Sequence, residues 1–256
     1  SGIKRHFLKF IEKFTAFLAT KIICVSPSIL KISLDQRLSN ASKTIIINKG
    51  TCNGIDAVYK FNPQNLSGNK NISVDLIDKL ESGVKIIGYV GRIVKDKGII
   101  ELLEAWKILI KENEKIHLLI LGPQEERDAI PEEYISFARI CNSISMPGLI
   151  KDIEAYYSIM DIFILPSYRE GFPTVVLEAS AMELPVICSS KTGCIDSILE
   201  NETGLFSPIT PEDLAQKIQY LLDHPNKAVE MGKNGRLNVL KNFQQKLIWK
   251  SLEKIY

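Results

Sequence analysis

The sequence contains no uninterrupted apolar run of the roughly 18–20 residues that a bilayer-spanning helix needs. Its first thirty residues show no apolar core followed by a cleavage site. Cysteine is sparse: Cys24, Cys52, Cys141, Cys188 and Cys194 are odd in number and scattered, and no C-x-x-C occurs. The three histidines, His6, His117 and His224, lie far from them in sequence. This distribution argues against a disulfide framework and a thiol-rich zinc site, and the reducing cytoplasm is the compartment expected. Both G-x-x-x-x-G-K-[ST] and G-x-G-x-x-G are absent. No charge sign dominates, since 32 Lys/Arg face 30 Asp/Glu for a net +2. What is present is ordinary for a globular chain of 256 residues: 45% hydrophobic and 24% charged, enough for one large domain or for one domain and part of another.

The small net charge hides an asymmetry. Residues 1–60 carry ten Lys/Arg against Glu12, Asp35 and Asp56, a net of +7, and the other 196 residues carry 22 basic against 27 acidic groups, a net of −5. Two pieces with different surroundings are the simplest reading. The larger piece lacks a basic stripe with interleaved aromatics, so no nucleic-acid partner is expected.

The front piece opens with KRHFLKFIEKFTAFLAT, whose Phe7, Phe10, Phe14 and Phe17 recur at helical spacing with Leu8, Ile11 and Leu18. A short strand is expected in KIICVS, then a helix opened by Ser26-Pro27-Ser28, and a second strand in TIIIN. The polar stretch 61–83, ending in a short helix, is the best candidate for a linker. Beyond it, short apolar runs (VKIIGYVG, HLLILG, SISM, IFILP, PVICS, TGLF) alternate with helical stretches near 97–112, 131–140, 151–160 and 173–182. Helices follow from about 211, with 241–256 as a terminal helix. That alternation requires a parallel sheet covered on both faces, an α/β doubly wound domain over about 84–240. Its ligand crevice belongs at the carboxyl ends of the strands.

Unusual residues collect at those strand ends. The first strand of the larger piece runs into Gly91-Arg92-Ile93-Val94-Lys95-Asp96-Lys97-Gly98 and then a helix. Two cations at a helix N-terminus suit a diphosphate, although a solvated basic loop has the same appearance. The fourth strand runs into Ser167-Tyr168-Arg169-Glu170-Gly171-Phe172-Pro173, with Glu178 about one and a half turns into the next helix. With Glu170 in the loop and Glu178 on the helix, both carboxylates can face one crevice and accept bonds from sugar hydroxyls. The N–H groups of Gly171, Phe172, Thr174 and Val175 would line it. The plainer reading is an acidic residue placed by the helix dipole and an exposed mid-helix glutamate. Met146-Pro147-Gly148-Leu149-Ile150 leaves the third strand through a glycine turn.

Taken together, GRIVKDKG, LLILG, MPGLIKDIEAYYSIMDIFILPS, EGFPTVVLE, ELPVICS and TGLFSP resemble, in order and spacing, the carboxy-terminal domain of GT-B glycosyltransferases, closest to the large retaining glycosyltransferase family 4. The resemblance runs from about Val84 to the end of the chain, and E-x7-E within EGFP-x4-E is its most specific part. Residues 1–60 look like the tail of that fold's amino-terminal domain, and 241–256 like the helix that returns to it. The implied fold is a Rossmann-like doubly wound domain preceded by a partial amino-terminal domain.

The resemblance also implies roles. Arg92 and Lys97 hold the donor diphosphate behind the close turn at Gly91, Gly148 and Ile150 present backbone to the base, and Glu178 binds the ribose. Glu170 sits at the transferred sugar, with Gly171, Phe172, Thr174 and Val175 beside it, while Pro173 supplies no N–H. The implied catalytic group is Glu170, Arg92 and Lys97, with a UDP-sugar or GDP-sugar donor, no cofactor, no metal and retention at the anomeric carbon. A growing surface polysaccharide or lipid-linked glycan is the implied acceptor. Two departures stand out: Asp196 where relatives often carry glutamate, and a front piece of only about sixty residues where the fold needs a whole domain. A shortened form or one subunit of a split enzyme is therefore expected. The Phe-rich first helix is expected to pack within such a domain, or else to touch an anionic membrane as a peripheral contact on the inner face. Self-association through its apolar face is expected if it packs against nothing.

Overall fold

A computed structural model of the chain describes residues 2–51, 53–65 and 72–255. The linker reading around 66–71, and Cys52, lie outside the described residues.

The front piece consists of α1 (Gly2–Leu18), β1 (Ile22–Cys24), α2 (Pro27–Asp35) and β2 (Thr44–Ile46). The strands pair in parallel, Ile22 with Thr44 through Cys24 with Ile46. The Ser26 side chain caps α2 by accepting from the Ile29 N–H at 3.3 Å, and Pro27 occupies the first turn, where a missing N–H costs nothing.

The larger piece follows as α3 (Val74–Glu81), β3 (Lys85–Val90), α4 (Ile99–Leu109), β4 (Ile116–Leu121), α5 (Glu132–Ile140), β5 (Ile144–Gly148), α6 (Ile153–Tyr157), β6 (Ile162–Leu165), α7 (Thr174–Ala181), β7 (Val186–Ser189), β8 (Gly204–Ser207), α8 (Pro211–Asp223), α9 (Pro225–Asn242) and α10 (Gln245–Glu253). The six strands form one parallel sheet in the order β5-β4-β3-β6-β7-β8. β4 and β6 are buried at every position, as strands covered by helices on both faces must be. α4 buries Ile99, Leu102, Leu103, Trp106 and Leu109, a stripe at helical spacing.

Two boundaries differ from the sequence reading. β5 continues past Met146 through Pro147 and Gly148, because it is an edge strand, where proline's missing donor faces no partner. The expected helix over 151–160 shrinks to the five residues of α6. The carboxy-terminal stretch also divides, with α9 running to Asn242 and α10 starting at Gln245.

The sheet order matters for function. Counted within the larger piece it is 3-2-1-4-5-6, so the direction in which successive strands are added across the sheet reverses between β3 and β6. A crevice opens outside the carboxyl ends of those two strands, at the switch point. The chain after β2 joins the same core: Ile55, Ala57 and Phe61, and further on Ile72 and Leu76, are buried with the strands and helices of the sheet domain. Arg236 of α9 fastens it, donating to the carbonyls of Ala57 and Phe61 at 3.1 Å and of Ala181 at 2.5 Å. The Ile55 N–H donates to Phe243 O at 2.8 Å, and Trp249 of α10 donates to Asn53 Oδ1 at 2.7 Å. Among the described residues no helix is long and apolar enough to cross a membrane.

Candidate functional site at the switch point

The loop after β3 is held against the loop after β6 by backbone. Gly98 has a φ of +71°, and a Cβ there would lie 2.1 Å from Pro166 O, so only glycine permits this approach. The Tyr168 N–H donates to Asp96 O at 2.9 Å, and Arg169 lies 3.6 Å from the Asp96 carboxylate. This junction brings Lys97 to Glu170: Nζ donates to Oε1 at 2.5 Å, with side chains only 13% and 15% exposed. The loop after β7 fixes Glu170 from behind. Its N–H donates to Thr192 O at 3.0 Å, and a Cβ on Gly193 would sit 2.3 Å from Glu170 O.

Arg92 stands at the other side of the same loop. Its guanidinium donates to Glu125 Oε2 at 2.9 Å with both side chains well exposed, and this partner raises the arginine pKa. Its carbonyl accepts from the buried Tyr89 hydroxyl at 2.8 Å. Desolvation holds that phenol well above its usual pKa, so it remains a donor. A Cβ on Gly91 would lie 2.7 Å from the same hydroxyl oxygen, which explains the glycine before the arginine.

Arg92, Lys97, Glu170 and Gly171 line one open cleft of about 540 Å³, walled on the far side by Ile29 and Ile32 of α2. α2 is tied in place from the sheet domain. The Ser28 N–H and hydroxyl both donate to Asp196 Oδ2, at 3.0 and 2.5 Å, and the Gly193 N–H donates to Ser28 Oγ at 2.8 Å. A carboxylate at a helix N-terminus is favoured by the unpaired N–H groups there. These contacts give Asp196 a role that its position in sequence did not disclose.

The other residues singled out from sequence are not among the lining of this cleft. Pro173 caps α7 and gives no N–H, while the Thr174 and Val175 N–H groups have no carbonyl four residues back within the helix. Thr174 is exposed and Val175 half-buried. The Phe172 ring leans on Phe243 at 5.5 Å. Gly148 closes β5 with φ +84° and open space where a Cβ would be, and Ile150 packs partly against the core. Glu178 is not the exposed mid-helix glutamate of the plainer reading. It is largely enclosed, and Oε2 accepts from the Tyr157 hydroxyl at 2.9 Å. Burial raises its pKa, opposed by the Tyr157 bond and by Lys60, with Glu154 adding to the rise.

Sequence reasoning missed Ile29 and Ile32 as cleft residues, Ser28 as the tie to Asp196, Thr192 and Gly193 as the backing of Glu170, and Glu125 as the partner of Arg92. The S-P-S helix start was the one signal pointing that way. It marks a helix, not what the helix faces.

Chemically, the cleft offers three cations, Arg92, Lys97 and Arg169, beside the carboxylates of Asp96 and Glu170, a setting for an anionic group next to hydroxyls. A 3-2-1-4-5-6 sheet with such a site at its switch point, facing a second parallel-stranded unit across a cleft, is the architecture of GT-B glycosyltransferases.

The chain belongs to the glycosyl transferases group 1 family, whose pattern it matches over residues 77–238. It is 34% identical over 258 aligned residues to a capsular polysaccharide biosynthesis glycosyltransferase, CapM, of Staphylococcus aureus, covering 100% of this chain and 66% of that protein. A crystal structure of a glycosyltransferase from Rickettsia africae superposes with a TM-score of 0.79 at 28% identity, covering 93% of this chain and 62% of that one. The fold is also that of Anabaena HepE solved with UDP, with a TM-score of 0.80 at 19% identity over 98% of this chain and 68% of that one. The chain thus spans about two thirds of the length of these three proteins.

Proposed function

We propose that this chain is the donor-binding part of a retaining, metal-independent glycosyltransferase that moves a sugar from a UDP-sugar or GDP-sugar to a bacterial surface polysaccharide or lipid-linked glycan. The observation that carries the reading is the shielded Lys97–Glu170 pair at the switch point, with Arg92 on the same cleft. Arg92, Lys97 and the N-terminus of α4 take the diphosphate and stabilise the charge that grows on it as the glycosidic bond breaks, a preorganised electrostatic role. Glu170 accepts from hydroxyls of the sugar while its bond to Lys97 keeps it in place. Glu178 takes the ribose, and the Gly148–Ile150 backbone takes the base. Capsule assembly is supported by the name of the staphylococcal relative, and a UDP donor by the ligand of the Anabaena structure. The alternative is a non-catalytic nucleotide-sugar-binding subunit that needs a partner amino-terminal domain.

A thermal-shift panel with UDP, GDP, ADP and their sugar conjugates tests the reading. Ligand at about a hundred times its Kd adds roughly 2.7 kcal/mol, a rise of a few degrees at this size. Stabilisation by one base and not the others is expected. No response to any of them would contradict a preformed donor site. Turnover that appears only when a separate amino-terminal chain is added would favour the subunit reading.

The exposed apolar face of α1 (Phe7, Phe10, Phe14 and Phe17, each more than half exposed) beside Arg5, Lys9 and Lys13 supports a peripheral contact with an anionic bilayer. Cosedimentation with phosphatidylglycerol vesicles but not phosphatidylcholine vesicles is expected, and equal recovery with both would contradict it.

A further inference from the structure

Glu178 has its place set by one side chain that nothing in the E-x7-E motif identifies. Tyr157 is completely buried at the end of α6, its ring held edge-on by Phe61 at 6.1 Å and tilted against Phe163 at 5.8 Å. A ring packed on both sides cannot swing, so its hydroxyl has a fixed direction, and that direction is α7. It donates to Glu178 Oε2 at 2.9 Å, with Val175 O further off at 3.4 Å. The remaining charges around Glu178 are Lys60 and Glu154, themselves 3.8 Å apart.

A carboxylate on an exposed helix samples several rotamers. A bond to one oxygen from a rigid buried donor selects a single rotamer and leaves the second oxygen to an incoming group. It also satisfies a carboxylate that burial would otherwise drive toward its neutral form, a weaker acceptor with one oxygen turned into a donor.

We propose that Tyr157 is a positioning residue for nucleotide recognition: its hydroxyl fixes the Glu178 carboxylate in the orientation that accepts bonds from the ribose diol of the donor. This rests on the reading that Glu178 is the ribose-binding residue. Phe61 and Phe163 act through Tyr157 by immobilising its ring. The sugar-binding geometry of α7 is therefore built from three aromatic side chains on three separate segments, one of them in the segment that follows β2.

The test is calorimetric titration of the chain with UDP and GDP and with their 2′,3′-dideoxy counterparts, in the wild type, Tyr157→Phe, Glu178→Ala and the double variant. Wild type is expected to prefer the ribose form of the base it binds. Glu178→Ala abolishes that preference. Tyr157→Phe lowers it at least threefold while leaving affinity for the dideoxy nucleotide unchanged, and the double variant is no worse than Glu178→Ala. Wild-type preference in Tyr157→Phe, alongside its loss in Glu178→Ala, overturns the positioning role and leaves the ribose reading intact. Preference retained in Glu178→Ala overturns both. Glu178→Asp keeps the charge but, one methylene shorter, loses the reach to Tyr157; it guards against a Tyr157→Phe chain that does not fold. It should lose the ribose preference, and full preference in Glu178→Asp contradicts the proposal.

Discussion

Arg92 and Lys97 carry the same charge into the cleft under different constraints. Lys97 is mostly shielded and bonded to Glu170, so removing either partner leaves a poorly solvated charge, a loss of roughly 3 kcal/mol or more for a buried pair. Arg92 meets Glu125 at the surface, where such pairs are worth about 0–1 kcal/mol, so under the proposed function an arriving diphosphate would displace Glu125 at little cost. Lys97 is thus a fixed element of the site and Arg92 a cation that can exchange one anion for another. Away from the cleft, His117 is buried on β4 with Nε2 2.8 Å from Ser145 Oγ, and desolvation lowers its pKa to about 4. The folded chain keeps this ring neutral while the unfolded chain protonates it near 6.5. Its contribution to stability is therefore complete above 6.5 and is lost as pH falls toward 4, about 3 kcal/mol in all. Denaturant melts of wild type and His117→Leu between pH 7 and 4 should show a shallower fall for the variant. Parallel curves would contradict the assignment.

At the scale of elements, the site depends on loops that touch through backbone atoms. β3 and β6 deliver their following loops to one point, and Gly98 lets the first close on the second. Gly98→Ala places a methyl 2.1 Å from Pro166 O at a φ of +71°. The junction must open or strain, a loss of about 2–4 kcal/mol in the range of severe backbone substitutions, and Lys97 moves from Glu170. The expected result is a lower melting temperature together with weaker diphosphate binding. Unchanged values for both would refute the close-approach argument. This part of the fold was open to sequence reading because its signals are local. Continuous apolar runs such as HLLIL mark strands buried on both faces, and glycines flanking cations mark a turn into a helix. Glu178 was legible by spacing but not by environment, since nothing near it in sequence shows that Tyr157, twenty-one residues earlier, reaches its oxygen. The bond from Ser28 to Asp196 spans 168 residues, and each partner taken alone reads as an ordinary helix start or acidic turn.

For the whole molecule, the front piece and the rest divide the lining of one cleft between them. The sheet domain supplies Arg92, Lys97 and Glu170, and α2 supplies the apolar wall of Ile29 and Ile32. The two are joined at both ends: Ser28 to Asp196 and Gly193 beside the cleft, and Arg236 and Phe243 to the Ile55–Phe61 segment behind it. Composition revealed that two pieces existed; which faces they turn to each other is set by contacts distant in sequence, and no periodicity records those. The central claim is that the switch-point cleft binds the diphosphate of a nucleotide. Titration calorimetry of the chain with UDP and with uridine (GDP and guanosine if that base is the one bound), in wild type and Arg92→Ala, tests it most directly. Removing one charge-assisted hydrogen bond costs about 1.5–3 kcal/mol, so Arg92→Ala should weaken the diphosphate by roughly 10- to 150-fold. Affinity for the nucleoside should not change. Equal diphosphate affinity in wild type and Arg92→Ala, or an equal loss for the nucleoside, would contradict the account.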